Sequence, residues 1–162
     1  MNSYKILAID ETGKASLKHK SKNFILSGII VPENFKPRLS KAMFKLKDKH
    51  FEDAELVFHC RDMIRKKGPF ACLRENAKKE IQFWSEFIAI LNSDKISLAF
   101  VIVDKAKAKK LGWNEIAILR KAYNKILEEF VKQHLGKKTC GKIIVESDPS
   151  QDKYLIEAHT RL

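Results

Sequence analysis

The chain has 162 residues, of which 44% are hydrophobic and 32% charged, a balance that excludes a disordered chain and suits about one self-supporting domain. No run approaches the roughly 18 apolar residues of a membrane span, and the opening MNSYKILAIDE meets an acid too early for a secretory signal, so the expectation is a cytoplasmic protein with no membrane partner. A net charge of +12 points instead to a polyanion, nucleic acid, with DNA and RNA both open.

In chain order, residues 4–10 read as a strand. Its apolar run, Ile6 to Ile9, ends on Asp10 and Glu11. Asp10 and Gly13 also stand at the first and fourth positions of a tetrad suited to a type I turn. Lys14 to Asn23 is basic and has room for a short edge strand, which its lysines would guard. NFILSGIIV, 23–31, is a second strand closed by Pro32. Leu39, Met43 and Leu46, with Phe35, are spaced for a helix over 33–51, with Pro37 in its first turn. ELVFHCRDMIRKKGPF, 55–70, is irregular, with a turn at Gly68-Pro69. Ile81, Trp84, Ile88 and Leu91, widened by Phe83 and Phe87, make one face of a helix over 75–92. KISLAFVIVD, 95–104, is apolar on both faces and so reads as a central strand. A long amphipathic helix over 113–135 runs through Ile116, Leu119, Tyr123, Ile126 and Phe130 and stops at Gly136. KIIVE, 142–146, is a short strand. DPSQDKYLIEAHTRL then starts a helix with Asp148 as cap, Pro149 in first place and Gln151 as capping-box partner. It carries no stop signal before Leu162, so the chain is expected to lack a C-terminal segment.

Cys60, Cys72 and Cys140 form no C-x-x-C, and the five histidines no pair at ligand spacing, so neither a disulfide framework nor a zinc site is expected. The lack of a glycine-rich phosphate loop disfavours ATP use.

Three apolar strands end on a carboxylate: Asp10, Asp104 and Glu146. The last two are joined by a helix, which predicts parallel strands and a right-handed crossover. If the first strand lies beside the second in the same direction, the three acids meet where open α/β sheets hold ligands. Alternation puts Asp10 on the face of Ile6 and Ala8 and Glu11 on the other, which selects Asp10. Asp152, one turn past the cap, joins the cluster. Such carboxylates repel unless a hard cation lies between them. Magnesium or manganese fits oxygen ligands, and two ions about 4 Å apart are suited to phosphodiester chemistry. A plainer account also exists: loops begin at strand ends, Lys105 pairs with Asp104, and Asp148 caps a helix. In 55–70, His59 is suited to general-base chemistry or to a structural hydrogen bond, and Arg61, Arg65, Lys66 and Lys67 to gripping phosphate or to a solvated loop.

Taken in order, IDETG, FILSGIIVP, ELVFHCRDMIRKKGPF and IIVESDPSQD resemble the domain-of-unknown-function family 3800 over nearly all of residues 4–157, with Thr12 where that family has serine. The resemblance implies a ribonuclease H-like fold. It implies Asp10 as the first metal-binding acid, a second cluster of Glu55 with His59, Arg61 and Asp62, a third of Glu146 and Asp152, and a further acid beyond Leu162. The combined expectation is one α/β domain over 1–162: a ribonuclease H-like mixed five-stranded sheet with helices on both faces. The expected activity is that of a metal-dependent nuclease, with Asp10, Glu55, Glu146 and Asp152 catalytic. Magnesium or manganese would sit on Asp10, Asp104, Glu146 and Asp152, and His59, Arg61, Arg65 and Lys66 would hold substrate. The alternative is a non-catalytic module, binding nucleic acid or another partner, with a degenerate site.

Overall fold

The computed structural model of the chain describes residues 3–136, 139–146 and 148–162. Among these are four strands, β1 (Ser3–Thr12), β2 (Asn23–Pro32), β3 (Ser97–Asp104) and β4 (Thr139–Val145). The α-helices are α1 (Lys36–Phe51), α2 (Cys60–Arg65), α3 (Cys72–Glu75), α4 (Ala77–Leu91), α5 (Lys105–Lys110), α6 (Glu115–His134) and α7 (Asp152–Thr160). They divide between two compact units, Met1–Glu33 with Ser97–Leu162, and Asn34–Ile96. The sequence reading takes 1–162 as one domain; the helical segment between β2 and β3 forms a unit of its own.

In the first unit the sheet order is β3-β2-β1-β4. β1 pairs antiparallel with β2, β2 antiparallel with β3, and β4 parallel with β1. The period-2 pattern sends Leu7, Ile9, Phe24, Leu26, Ile30 and Val103 to one face, where they are buried with Ile118, Ala122, Tyr123, Ile126 and Leu127 of α6 and Tyr154 and Ala158 of α7. The valine, leucine, isoleucine and phenylalanine side chains among these each contribute about 1.5–3 kcal/mol. Packing is close at Gly28, where a Cβ would stand 2.7 Å from Leu7 Cδ1 and 3.2 Å from Ile126 Cδ1.

Two expectations are corrected here. The sheet has four strands, not five, among the described residues. The basic stretch before β2 makes no strand because it curls around one cation. Lys105 Nζ is buried and donates to the carbonyls of Lys14 (3.2 Å), Ser16 (2.8 Å) and His19 (2.8 Å) and to Ser21 Oγ (3.1 Å). Carbonyls turned toward an ammonium are not available to a sheet ladder. Gly13, at φ +83°, opens this loop, and a Cβ there would lie 2.4 Å from the Asn23 carbonyl oxygen. Second, β3 is an edge strand. Its two faces are both apolar, yet Leu98, Phe100 and Ile102 are 52%, 59% and 63% exposed, while α6 and α7 pack against the other face. On the face of Leu98, Phe100 and Ile102, further from the edge, Ile6 and Val31 are buried.

The second unit is helical. Pro37 lies in the first turn of α1, and the Asn76 side chain caps α4 by accepting from the Lys79 N–H at 3.0 Å. Leu46, Met63, Phe70, Leu73 and Phe83 form its core. Phe83 makes edge contacts with Phe51 and Phe58 and stacks on Phe87. The buried stripe of α4 is therefore centred on Phe83 and Phe87, and the expected Ile81 and Ile88 are 70% and 55% exposed. Aromatic rings remove more area from water than isoleucine does, so they take the inward positions.

Candidate functional site

A cavity of about 420 Å³ opens past the C-terminal end of β4, beside the last residues of β1, lined by Ile9, Asp10, Glu11, Val145, Glu146, Asp148 and Pro149. Its geometry follows from the parallel register. Ile9 pairs with Val145, so the next residues, Asp10 in β1 and Glu146 just past β4, follow side by side with their backbones about 5 Å apart. Asp10 is not the start of a turn. β1 continues through Thr12, and Asp10 pairs with Ser27. One of its carboxylate oxygens accepts from the Glu11 N–H at 2.8 Å. Neither Asp10 nor Glu146 has an ion-pair partner among the described residues.

Glu11, set aside by strand alternation, lines the same cavity. Alternation holds, since Glu11 lies on the α6 face, but β4 ends opposite Ile9, so the cavity beside the last residues of β1 takes in both faces. Gln151 Nε2 donates to Glu11 Oε1 at 2.7 Å and to Asp148 Oδ2 at 3.0 Å, which joins the end of β1 to the turn after β4. Its Oε1 is buried and has no hydrogen-bond partner among the described residues.

The expected cap does not form: α7 starts at Asp152 with Gln151 at its N-cap and no side-chain capping bond, and Asp148 and Pro149 lie before the helix. The Asp148 carboxylate accepts from the Ser150 hydroxyl (2.6 Å) and the Ser150 N–H (2.9 Å), and its carbonyl accepts from the N–H groups of Gln151 and Asp152. Asp152 Oδ1 accepts from the Asp148 N–H at 3.0 Å, and Gln151, expected as capping-box partner, bonds the Asp148 carboxylate instead. Hydrogen bonds from the Ser150 and Gln151 side chains, with the Ser150 N–H and the charge of Lys14, hold the Asp148 carboxyl below its ordinary range. Burial, then the charges of Glu11, Asp152 and Asp148, push the Tyr123 phenol up to about 12, so it stays protonated and three acids lie near it.

The remaining predicted site residues separate. Asp104 does not join the cavity. It pairs with Asn23 while Asp10 pairs with Ser27, a separation of about 13 Å along β2 and about 10 Å across two strand spacings, or about 16 Å in all. Its Oδ1 caps α5, accepting from Ala106 and Lys107 N–H at 2.8 and 3.0 Å, and the Lys107 bond is the main reason its carboxyl is held low. Glu55, His59, Arg61, Arg65 and Lys66 all belong to the helical unit. Glu55 and His59 precede α2 and so share no helical face. Between them, Leu56 and Phe58 pack inward and Val57 is exposed. Arg61 and Arg65 are exposed, and Lys66 Nζ is paired with Glu80 Oε2 at 2.6 Å.

The donor chemistry of the cavity suits a hard divalent ion: every charged group lining it is a carboxylate. Among the described residues no three His, Cys, Asp or Glu side chains stand close enough to hold one ion together. Magnesium does not require three, since it keeps several waters and binds through one or two carboxylates plus phosphate oxygens. Asp10 and Glu146 meet that lesser condition. No helix among the described residues is long and apolar enough to cross a membrane. The chain matches no family model, no curated protein and no solved structure.

Proposed function

We propose that the protein is a metal-dependent phosphodiester hydrolase, a nuclease of ribonuclease H-like type, whose centre is the cavity at the ends of β1 and β4. The observation that carries this reading is the delivery of Asp10 and Glu146, from adjacent parallel strands, into one cavity, with no cation among the described residues paired to either. The sequence resemblance and the mixed sheet, with β1 parallel to β4, support it further. Magnesium or manganese held by these two carboxylates would neutralise a scissile phosphate and supply an activated water. The residues of the chain position that chemistry. Asp10 is oriented by the Glu11 N–H. Gln151 holds Glu11 and Asp148 together, and Asp152 fixes the turn that carries Asp148. The surplus of positive charge gathers the polyanion.

Cleavage of a labelled oligonucleotide in manganese, with calorimetric titration of the ion, tests the reading. Asp10→Asn and Glu146→Gln should each abolish cleavage and weaken manganese binding at least tenfold. A rival reading, a binding module with a degenerate site, is favoured by the lack of a three-ligand group among the described residues. It gains if the wild-type chain binds oligonucleotide and never cleaves it in either metal.

A further inference from the structure

The same sheet edge carries a second electrostatic feature. β1, β3 and β4 end there and β2 begins there. At the β1–β4 side it is acidic. At the β2–β3 side two segments lie against each other: the loop 13–22 and α5 with the turn after it. The loop bears Lys14, Lys18, Lys20 and Lys22, and residues 105–114 bear Lys105, Lys107, Lys109 and Lys110; neither segment contains an acid. Seven of these lysines are exposed. The eighth, Lys105, is buried and fastens the two segments through the four bonds described above. One ammonium thus holds seven others in a patch. The Lys105 N–H also donates to the Lys22 carbonyl at 3.1 Å.

Beside the patch, along the free edge of β3, a groove is lined by Ile102, Lys107, Leu111, Trp113, Lys121 and Lys125, among others. Its floor is apolar, and its charged lining is Lys107, Lys121 and Lys125 with the Asp104 carboxylate that caps α5. Lys121 Nζ lies over the Trp113 ring at 4.8 Å, and Leu111 is 65% exposed. A single strand presents both phosphates and unstacked bases, whereas a duplex hides its bases.

We propose that the lysines of loop 13–22 and α5 form the binding track for a single-stranded nucleic acid, with a base seated in the Leu111–Trp113 groove and the backbone running along the sheet edge toward the carboxylate cavity. This rests on the reading of that cavity as a phosphodiester site. The chemistry favours nucleic acid over an anionic membrane, because a lipid surface laid on this edge would bring its headgroups against Asp10 and Glu146 as well as the lysines. A strand can place its phosphates on the lysines and present a single one to the acids, about 16 Å from the Asp104 end of the track.

The test is fluorescence anisotropy with a fluorescein-labelled 20-nucleotide single strand and the full chain, in EDTA so that cleavage cannot interfere. K107E/K109E/K110E should weaken binding at least 30-fold in 50 mM salt and reduce the slope of log K against log salt by about 2, from about 0.7 per lost phosphate contact. K36E/K41E/K45E, on exposed positions of α1, makes the same change in net charge and should stay within threefold of wild type. K18E/K20E should give a smaller loss in the same direction and decides the matter if the α5 variant does not fold. Equal losses in the α5 and α1 variants, equal affinity for the matching duplex, or binding to phosphatidylserine vesicles without binding to the strand would each overturn the assignment. These measurements need no turnover, so they stand apart from the cleavage test: absence of cleavage in manganese counts against the hydrolase, not against the track.

Discussion

Glu86 in the helical unit and Asp10 in the sheet unit are acids treated in opposite ways. Glu86 is engaged on both oxygens. Lys49 Nζ reaches Oε1 at 2.6 Å with Gln82 Nε2 at 3.0 Å, and the buried His50 ring meets Oε2 at 3.0 Å. Hydrogen bonds from Lys49 and then His50 pull its carboxyl down to about 2. Among the described residues, Asp10 accepts from its neighbour's N–H and has no ion pair, and neither has its cavity companion Glu146. A carboxylate whose partners come from its own unit contributes to that unit's stability. A pair facing open space without a counter-charge contributes little to stability and is left available to a ligand.

The comparison can be broken at its strongest point first. Phe83→Ala removes the ring at the centre of the helical unit's core and should cost about 3–5 kcal/mol, read as a lower urea midpoint; a loss under about 1 kcal/mol would mean that this aromatic cluster is not what holds the unit together. Lys105→Met keeps the bulk and deletes the ammonium, stranding the carbonyls of Lys14, Ser16 and His19. It should cost about 2–3 kcal/mol and increase hydrogen exchange in loop 13–22 ahead of the rest of the sheet unit. If exchange there is unchanged, the loop is held by something else.

Glu86→Gln is smaller, about 1 kcal/mol for a half-buried pair open to solvent. Its signature is the pH dependence. Because the folded carboxyl is depressed, the contribution is full above the unfolded value of 4.5 and is lost as pH falls toward about 2. Urea midpoints of wild type and Glu86→Gln should therefore converge across that window, and a constant gap would dispose of the ion-pair account. Asp10→Asn should change stability least, within about 0.5 kcal/mol, while removing any manganese-dependent cleavage. A large destabilisation would make Asp10 a structural group like Glu86 and erase the contrast.

Much of the framework can be read from residue spacing. The strands at 4–10, 23–31, 95–104 and 142–146 and the helices at 33–51, 75–92 and 113–135 all appear, with ends moved by a few residues, because period-2 and period-3.6 burial leave marks in a single chain. Asp10 and Glu146 are legible as a pair for a similar reason: each directly follows an apolar run. Glu11 was not, because alternation says which face a side chain takes and not that β4 stops opposite Ile9, which opens both faces at the end of β1.

Local sequence also decided that Gly13 would open a loop and that Pro37 would start a helix, since φ preferences belong to single residues. Only the tertiary structure decided that the doubly apolar β3 would lie at an edge, that Asp104 would be about 16 Å from Asp10, and that Lys105 would gather three carbonyls from residues 86 to 91 positions away. Each of these depends on which strand lies beside which. That order is chosen by the packing of whole faces against α6 and α7, an energy summed over many side chains and carried by no short stretch of sequence.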